Sequence, residues 1–142
     1  MKKLAVLLKL FSDETRVRIL MLLTQRELCV CQLMAVLGVS QPLISRNLSL
    51  LSTAGLLQER REGKLVFYSL KKQQNPTAFV LLSLLKDELK QDQRMLDDLK
   101  SLRDCKEFQK KAGTCDMKTF REFMEEQKRK RRKELKGTKG SQ

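Results

Sequence analysis

Two cysteines stand one residue apart near the start of the chain, in the stretch ELCVC (27–31), within a sequence of 142 residues that contains no histidine. Thiolates are soft ligands that select thiophilic ions. Successive residues of an α-helix advance by about 100°, so Cys29 and Cys31 would point about 200° apart in a regular helix. We therefore expect them to converge on one ion only if the helix begins with a local turn.

The position of these thiols at a helix start also bears on their reactivity. A helix N-terminus carries partial positive charge, which lowers the pKa of a nearby thiol and favours the thiolate. Arg26 would add to this effect. The pattern predicts a site for a thiophilic ion that forms at the expense of the local helix geometry.

Two further cysteines lie in the polar C-terminal part of the chain. Cys105 and Cys115 could fold back to supply an additional thiolate, from the same or another subunit, or they could be free thiols without a role. They could also form a reversible disulfide with Cys31, which would make the chain a redox switch. Met34 offers only a weak thioether ligand and is expected in the core.

Catalytic patterns are absent from the sequence. With no histidine, the cysteines have no imidazole base to activate them for hydrolysis. There is no C-x-x-C pair, no P-loop and no dinucleotide fingerprint. The sequence predicts a protein that is not an enzyme and that carries no organic cofactor.

The elements around the first thiol pair predict a helix-turn-helix. A helix is expected over 29–37, ended by Gly38, and a second over 41–53, started by Ser40. The second helix has an apolar stripe and an outer face of small polar groups, which suit the base edges of the major groove. The expected DNA contacts on it are Ser40, Gln41, Ser45, Arg46, Asn47 and Ser49.

A β-hairpin is expected next, with strands over 56–60 and 65–70 around the turn REGK. Arg60, Arg61 and Lys64 cluster at its tip and suit contact with DNA phosphates beside the groove. The predicted fold class is mainly α with a small β-hairpin, a winged helix-turn-helix.

Four stretches of the sequence resemble the ArsR/SmtB metalloregulatory repressors. They are FSDETRVRIL (11–20), ELCVCQL (27–33), LGVSQPLISRNLSLLSTAGLL (37–57) and RREGKLVFYSL (60–70). The resemblance runs over about residues 4–100. It implies a repressor that binds a palindromic operator as a homodimer, paired through the first and last helices, and that leaves DNA when an inducer binds.

The ELCVC element resembles the inducer site of the arsenic- and antimony-responsive branch of that family. There three cysteine thiolates hold As(III) or Sb(III), whereas the third position of this chain is Met34. The resemblance implies Cys29 and Cys31 as ligands, with Cys105 or Cys115 as candidates for the third. Two thiolates could also suffice, for example for methylarsenite. The alternative function is a repressor of the same fold that responds to thiol oxidation or reactive sulfur.

A long helix is expected over 77–103, with an apolar stripe at near-heptad spacing that comprises Leu82, Leu85, Leu89, Leu96 and Leu99. One small domain cannot bury such a stripe on a single straight helix, so a helix of a second subunit is its expected partner. We divide the chain into a DNA-binding and dimerisation domain, 1–103, and a polar extension, 104–142. Within the extension a last helix is expected over 117–136, followed by a disordered end.

The net charge of +13 points to a polyanionic partner, and double-stranded DNA fits the predicted fold. Residues 128–139 hold eight Lys or Arg and one Glu, so seven of these excess charges lie in a basic tail. We expect the tail to raise affinity for DNA through counterion release. No apolar run approaches 18 residues, and we expect a cytoplasmic protein with reduced thiols and no membrane partner.

Overall fold

A computed structural model describes residues 1–72, 75–112 and 117–139. Its N-terminal half contains α1 (Lys2–Leu10), α2 (Glu14–Leu23), β1 (Leu28–Cys29), α3 (Val30–Leu37) and α4 (Gln41–Thr53). Asp13 begins α2, because its carboxylate accepts the Arg16 backbone N–H at 3.0 Å. Gly38 ends α3 with φ of +66°, a left-handed conformation that glycine adopts without the steric cost of a side chain.

The wing is a three-stranded antiparallel sheet in the order β1-β3-β2, with β2 at Leu57–Glu62 and β3 at Leu65–Leu70. The turn between β2 and β3 contains Gly63, whose φ is +60°. The expected hairpin is therefore confirmed, but the short strand β1 was not expected. It pairs Cys29 with Phe67 and so joins the thiol element directly to the wing.

The prediction of one long helix over 77–103 is wrong. The structure has two helices there, α5 (Pro76–Glu88) and α6 (Gln93–Ala112). Asp92 starts α6 by accepting the Met95 backbone N–H at 3.0 Å. Leu82 is buried, and Leu85, Leu89 and Leu99 pack against the core. Leu85, Leu89 and Leu99 are only partly buried and Leu96 is exposed, so the stripe is partly covered within one chain.

The last helix, α7, runs over Met117–Lys139, close to the expected 117–136. Residues 140–142 and Cys115 lie outside the described residues. The proposed domain boundary after residue 103 falls inside α6, which continues without interruption to Ala112.

A buried ion pair ties α6 to the helix-turn-helix. Arg18 of α2 donates two hydrogen bonds, each 2.9 Å long, to the two carboxylate oxygens of Asp98. It also donates to the Leu37 carbonyl at the end of α3. Hydrogen bonding to Asp98 raises the pKa of Arg18 above its usual value, although burial opposes the shift. The pair therefore holds α2, α3 and α6 together.

The described helices include none that is both long and apolar enough to cross a bilayer. The mainly helical architecture with a small antiparallel sheet agrees with the expected fold class.

Asp98→Ala should strongly destabilise the fold, because it leaves the largely buried charge of Arg18 without its carboxylate partner. Removing one member of a buried pair costs about 3–5 kcal/mol of unfolding free energy. Urea denaturation followed by circular dichroism measures this loss. The matched control is Asp87→Ala, which breaks the exposed Lys90–Asp87 pair and should cost less than about 1 kcal/mol. Equal losses in both variants would contradict the role given to Asp98.

Candidate thiol site and nucleic-acid interface

The two thiols meet at the junction of β1 and α3. Cys29 has extended backbone, with φ of −93° and ψ of 170°, and is the N-cap of α3 and not part of its helical turns. Cys31 lies in the first turn of α3. Because the chain turns between them, the two side chains converge and are hydrogen bonded to each other. The local turn that the sequence requires for convergence is therefore present.

A reciprocal capping box fixes the position of Cys29. The Gln32 side-chain carbonyl accepts the Cys29 backbone N–H at 2.9 Å, and the Cys29 sulfur accepts the Gln32 backbone N–H. Gln32 is itself buried, and its amide donates to Gln109 of α6 at 3.1 Å. Sequence reasoning missed Gln32, although a polar residue three positions after a helix cap is the known signal for a capping box.

The pKa of Cys29 is raised far above its usual value. The hydrogen bond with the Cys31 side chain is the main cause, followed by burial of the thiol. The backbone N–H groups of Cys31 and Gln32 act in the opposite direction but are weaker. The expectation that the helix N-terminus leaves this thiol as a thiolate is therefore wrong for Cys29, because burial and the neighbouring sulfur outweigh the helix.

Of the other candidate ligands, the structure describes Cys105 and Met34. Cys105 is buried on α6, with 3% of its surface exposed, and Met34 is half-buried against the core. Among the described residues no group of three cysteine, histidine or carboxylate side chains is placed to hold an ion. The part of the chain that the structure describes thus offers a pair of thiols. The position of Cys115 lies outside that part.

The outer face of α4 and its cap carry five of the six residues expected to contact DNA. Ser40, Gln41, Ser45, Arg46 and Ser49 are exposed, in agreement with the predicted polar face.

The sixth, Asn47, differs from the prediction of an exposed DNA contact, since it is 3% exposed and points inward. Its amide donates to the Leu43 carbonyl at 3.0 Å, and its oxygen accepts from Arg16 of α2 at 3.3 Å. Asn47 therefore joins α4 to α2 and does not lie on the exposed face.

On the wing, Arg61 and Lys64 are exposed at or near the hairpin turn, whereas Arg60 is already engaged. Its guanidinium donates to Glu27 at 3.1 Å and to Glu62 at 2.8 Å, and it lies 4.7 Å from the centre of the Phe67 ring. Arg60 also lowers the pKa of Glu27.

Glu27 is a second residue that sequence reasoning missed. It lies two residues before Cys29, and Phe67 pairs with both Cys29 and Arg60. The thiol pair is thus connected to the wing by backbone pairing and by an ion pair.

Removing the neighbouring sulfur should make Cys29 more acidic. In Cys31→Ala the largest cause of the raised pKa is gone, so alkylation of Cys29 by iodoacetamide should reach half its maximal rate at a lower pH than in the unmodified chain. Peptide mass spectrometry over pH 6–10 separates Cys29 from the other thiols. The control is Cys105→Ala, which should leave the Cys29 profile unchanged. An identical profile in Cys31→Ala would contradict the coupling of the two thiols.

Comparison with known proteins agrees with this architecture. A family model described as "Bacterial regulatory protein, arsR family" matches residues 13–59, which include the thiol pair and α4. The arsenical resistance operon repressor of Escherichia coli K12 is 52% identical over 65 residues, which cover 45% of this chain and 56% of that protein. The chain thus matches about half the length of the arsenic-resistance relatives.

Solved structures extend the similarity over more of the fold. Reduced HlyU from Vibrio cholerae superposes with a TM-score of 0.56 at 34% identity and covers 63% of this chain and 92% of its own. The transcriptional repressor BigR from Xylella fastidiosa gives a TM-score of 0.53 at 30% identity and covers 61% and 86%. These are winged-helix regulators and not enzymes, as expected from the sequence. The chain therefore belongs to the ArsR family of bacterial regulatory proteins and has its winged helix-turn-helix fold.

Proposed function

We propose that the chain is a transcriptional repressor that binds operator DNA and is released when a trivalent arsenic or antimony compound binds Cys29 and Cys31. The observation that carries this proposal is the contact between the two thiols at the start of the helix-turn-helix. The relative that is 52% identical is named as an arsenical resistance operon repressor, which supports arsenic as the inducer. The site needs reduced thiols, a condition that the cytoplasm provides.

The raised pKa keeps the Cys29 thiol protonated, which suits a neutral arsenic hydroxide. When methylarsenite, CH3As(OH)2, reacts with two thiols, two As–S bonds replace two As–O bonds. Each displaced hydroxide leaves with a thiol proton as water, so no net proton is released. Arsenite has three hydroxyl groups, and it would keep one of them at a two-thiol site or exchange it with a third cysteine, Cys105 or Cys115.

A ligand on the Cys29 sulfur competes with the cap of α3. The sulfur that bonds arsenic is the atom that accepts the Gln32 backbone N–H. Loss of a helix cap costs about 1 kcal/mol, and typical coupling energies between sites are about 1–3 kcal/mol. Loss of this one cap could therefore supply a substantial part of the coupling free energy between inducer binding and DNA binding. Because α3 contacts both α4 and β1, a shift of its first turn reaches the DNA-reading helix and the wing.

Two apolar surfaces support the proposed homodimer. Helices α1 and α5 expose large apolar side chains on the outside of the fold, namely Leu4, Val6, Leu8, Phe79, Val80 and Leu84. Clusters of exposed apolar side chains are typical of protein–protein contact surfaces. The first helix remains part of the proposed interface, and α5 takes the place of the heptad stripe expected to pair with a second subunit.

A thiol-redox or reactive-sulfur switch is the second candidate. One similar solved structure is described as reduced HlyU, and oxidation of the contacting thiols would also disturb the start of α3. The two functions differ in whether peroxide or a trivalent arsenical releases the protein from DNA.

Trivalent arsenicals should release the reduced protein from an operator duplex selected from a random library, and Cys29→Ser should abolish release. Serine is a good helix cap, so this variant keeps the fold while losing the thiol. Fluorescence anisotropy measures release by methylarsenite, arsenite, antimonite, cadmium and hydrogen peroxide. The Cys105→Ser/Cys115→Ser variant is the control for thiols outside the pair. Release by peroxide alone would refute the arsenic-responsive function.

The pH dependence distinguishes the inducer classes in the same assay. Release by methylarsenite should change little between pH 6.5 and 8.0, because no proton is exchanged. Cadmium must displace the thiol protons, so its apparent affinity should rise by up to about tenfold per pH unit for each proton. A steep dependence for methylarsenite would contradict the protonated resting state of Cys29.

Phe79→Glu should shift the protein from dimer to monomer, because it places a charge in the proposed interface. Sedimentation velocity should give twice the chain mass of 16.5 kDa for the unmodified protein and the single mass for the variant. Leu135→Glu, at an exposed apolar residue of α7, is the matched control and should stay dimeric. A dimeric Phe79→Glu variant would remove α5 from the interface.

A further inference from the structure

Helix α7 is docked on the helix-turn-helix and is not a loose arm. Phe123 of α7 is 2% exposed, and its ring centre lies 5.5 Å from that of Phe108 on α6. Helix α7 also contacts α3, and Gln109 of α6 is hydrogen bonded to Gln32 of α3. These contacts fix the first half of α7 against the element that carries the thiols.

The second half of α7 leads to the turn of the helix-turn-helix. A Cβ atom added to Gly38 would lie 4.0 Å from the Arg131 guanidinium. Phe123 and Arg131 are eight residues apart, about 12 Å along a helix, which equals the length of the eight-residue α3. From Arg131 the helix continues to Lys139, about 12 Å further.

The side chains in this second half are basic and exposed. Lys130 forms a long ion pair with Glu126, at 3.9 Å, and Glu134 is the only acidic residue of the segment 128–139. Leu135 is its only large apolar side chain, which makes the segment unsuited to insertion in a membrane surface. The basic residues, all exposed, are Lys128, Arg129, Lys130, Arg131, Arg132, Lys133 and Lys136.

We propose that α7 is a second DNA-binding element, which contacts the phosphate backbone beside the half-site that α4 reads. Gly38 stands two residues before Ser40 and three before Gln41, the exposed residues at the start of α4. The N-terminal end of the recognition helix is the part that contacts base edges in this type of fold. A basic helix that passes the same turn brings its long side chains to the adjacent phosphates. This inference rests on the proposed operator binding and adds contacts outside the half-site.

The test compares an operator duplex limited to the two half-sites with one that has about ten further base pairs on each side. The unmodified protein should bind the longer duplex about tenfold more tightly or better. The Arg131→Gln/Arg132→Gln/Lys133→Gln variant should lose this gain. Its plot of log affinity against log salt should be shallower by about 0.9 for each lost phosphate contact.

The matched control is Lys100→Gln/Lys106→Gln/Lys110→Gln, which removes the same charge from exposed positions on α6. It should keep the gain from flanking DNA, and circular dichroism should show equal helix content in both variants. Specific operator binding without any gain from flanking DNA would overturn this inference alone. Equal losses in the two variants would also overturn it, because only net charge would then matter. A protein that binds neither duplex would overturn the proposed repressor function as well.

Discussion

The extended backbone at Cys29 is the constraint on which the thiol site depends. If α3 began one turn earlier, the helical repeat would point the two sulfurs in nearly opposite directions. Instead Cys29 ends β1 and caps α3, and the two thiols are hydrogen bonded. The same residue therefore belongs to the wing sheet through Phe67, to the cap of α3 through Gln32, and to the thiol pair.

Helix α3 connects the thiol pair to α2 and α4, because its few residues contact several neighbouring elements. Its first turn holds Cys31 and Gln32, its last carbonyl accepts from Arg18, and Gly38 turns the chain into α4. A short helix has little propensity-based stability of its own and depends on tertiary packing. Its cap therefore matters to the whole element, which contacts the neighbouring α4 and β1.

The sequence was informative where local chemistry decides the structure. Gly38 and the turn REGK marked a helix end and a hairpin turn, and both have these roles in the structure. The contacts between distant residues could not be predicted in this way. Asn47 is of a residue type that usually lies at the surface. Here it is buried and accepts a hydrogen bond from Arg16, which lies 31 positions earlier in the chain.

The predictions of a lowered thiol pKa and of one long helix were wrong for related reasons. The effect of a helix N-terminus is local and readable, but burial and contact with a second sulfur appear only once the chain is packed. The helix over 77–103 was predicted from the spacing of its leucines, which does not register the helix start that the Asp92 side chain provides for α6. In both cases a single local rule was applied where a second, competing interaction was stronger.

The C-terminal helices lie outside the region that the family model matches, which ends at residue 59. They pack on α3, the helix that the thiol ligand would disturb. Gln32 connects the thiol site to α6. Its side-chain carbonyl accepts the Cys29 backbone N–H, and its amide donates to Gln109 of α6. A ligand that displaces Gln32 from the cap would also strain its bond to α6. Under the proposed functions, the thiol site would then act on DNA through α4 and the wing and also through the support of the basic helix.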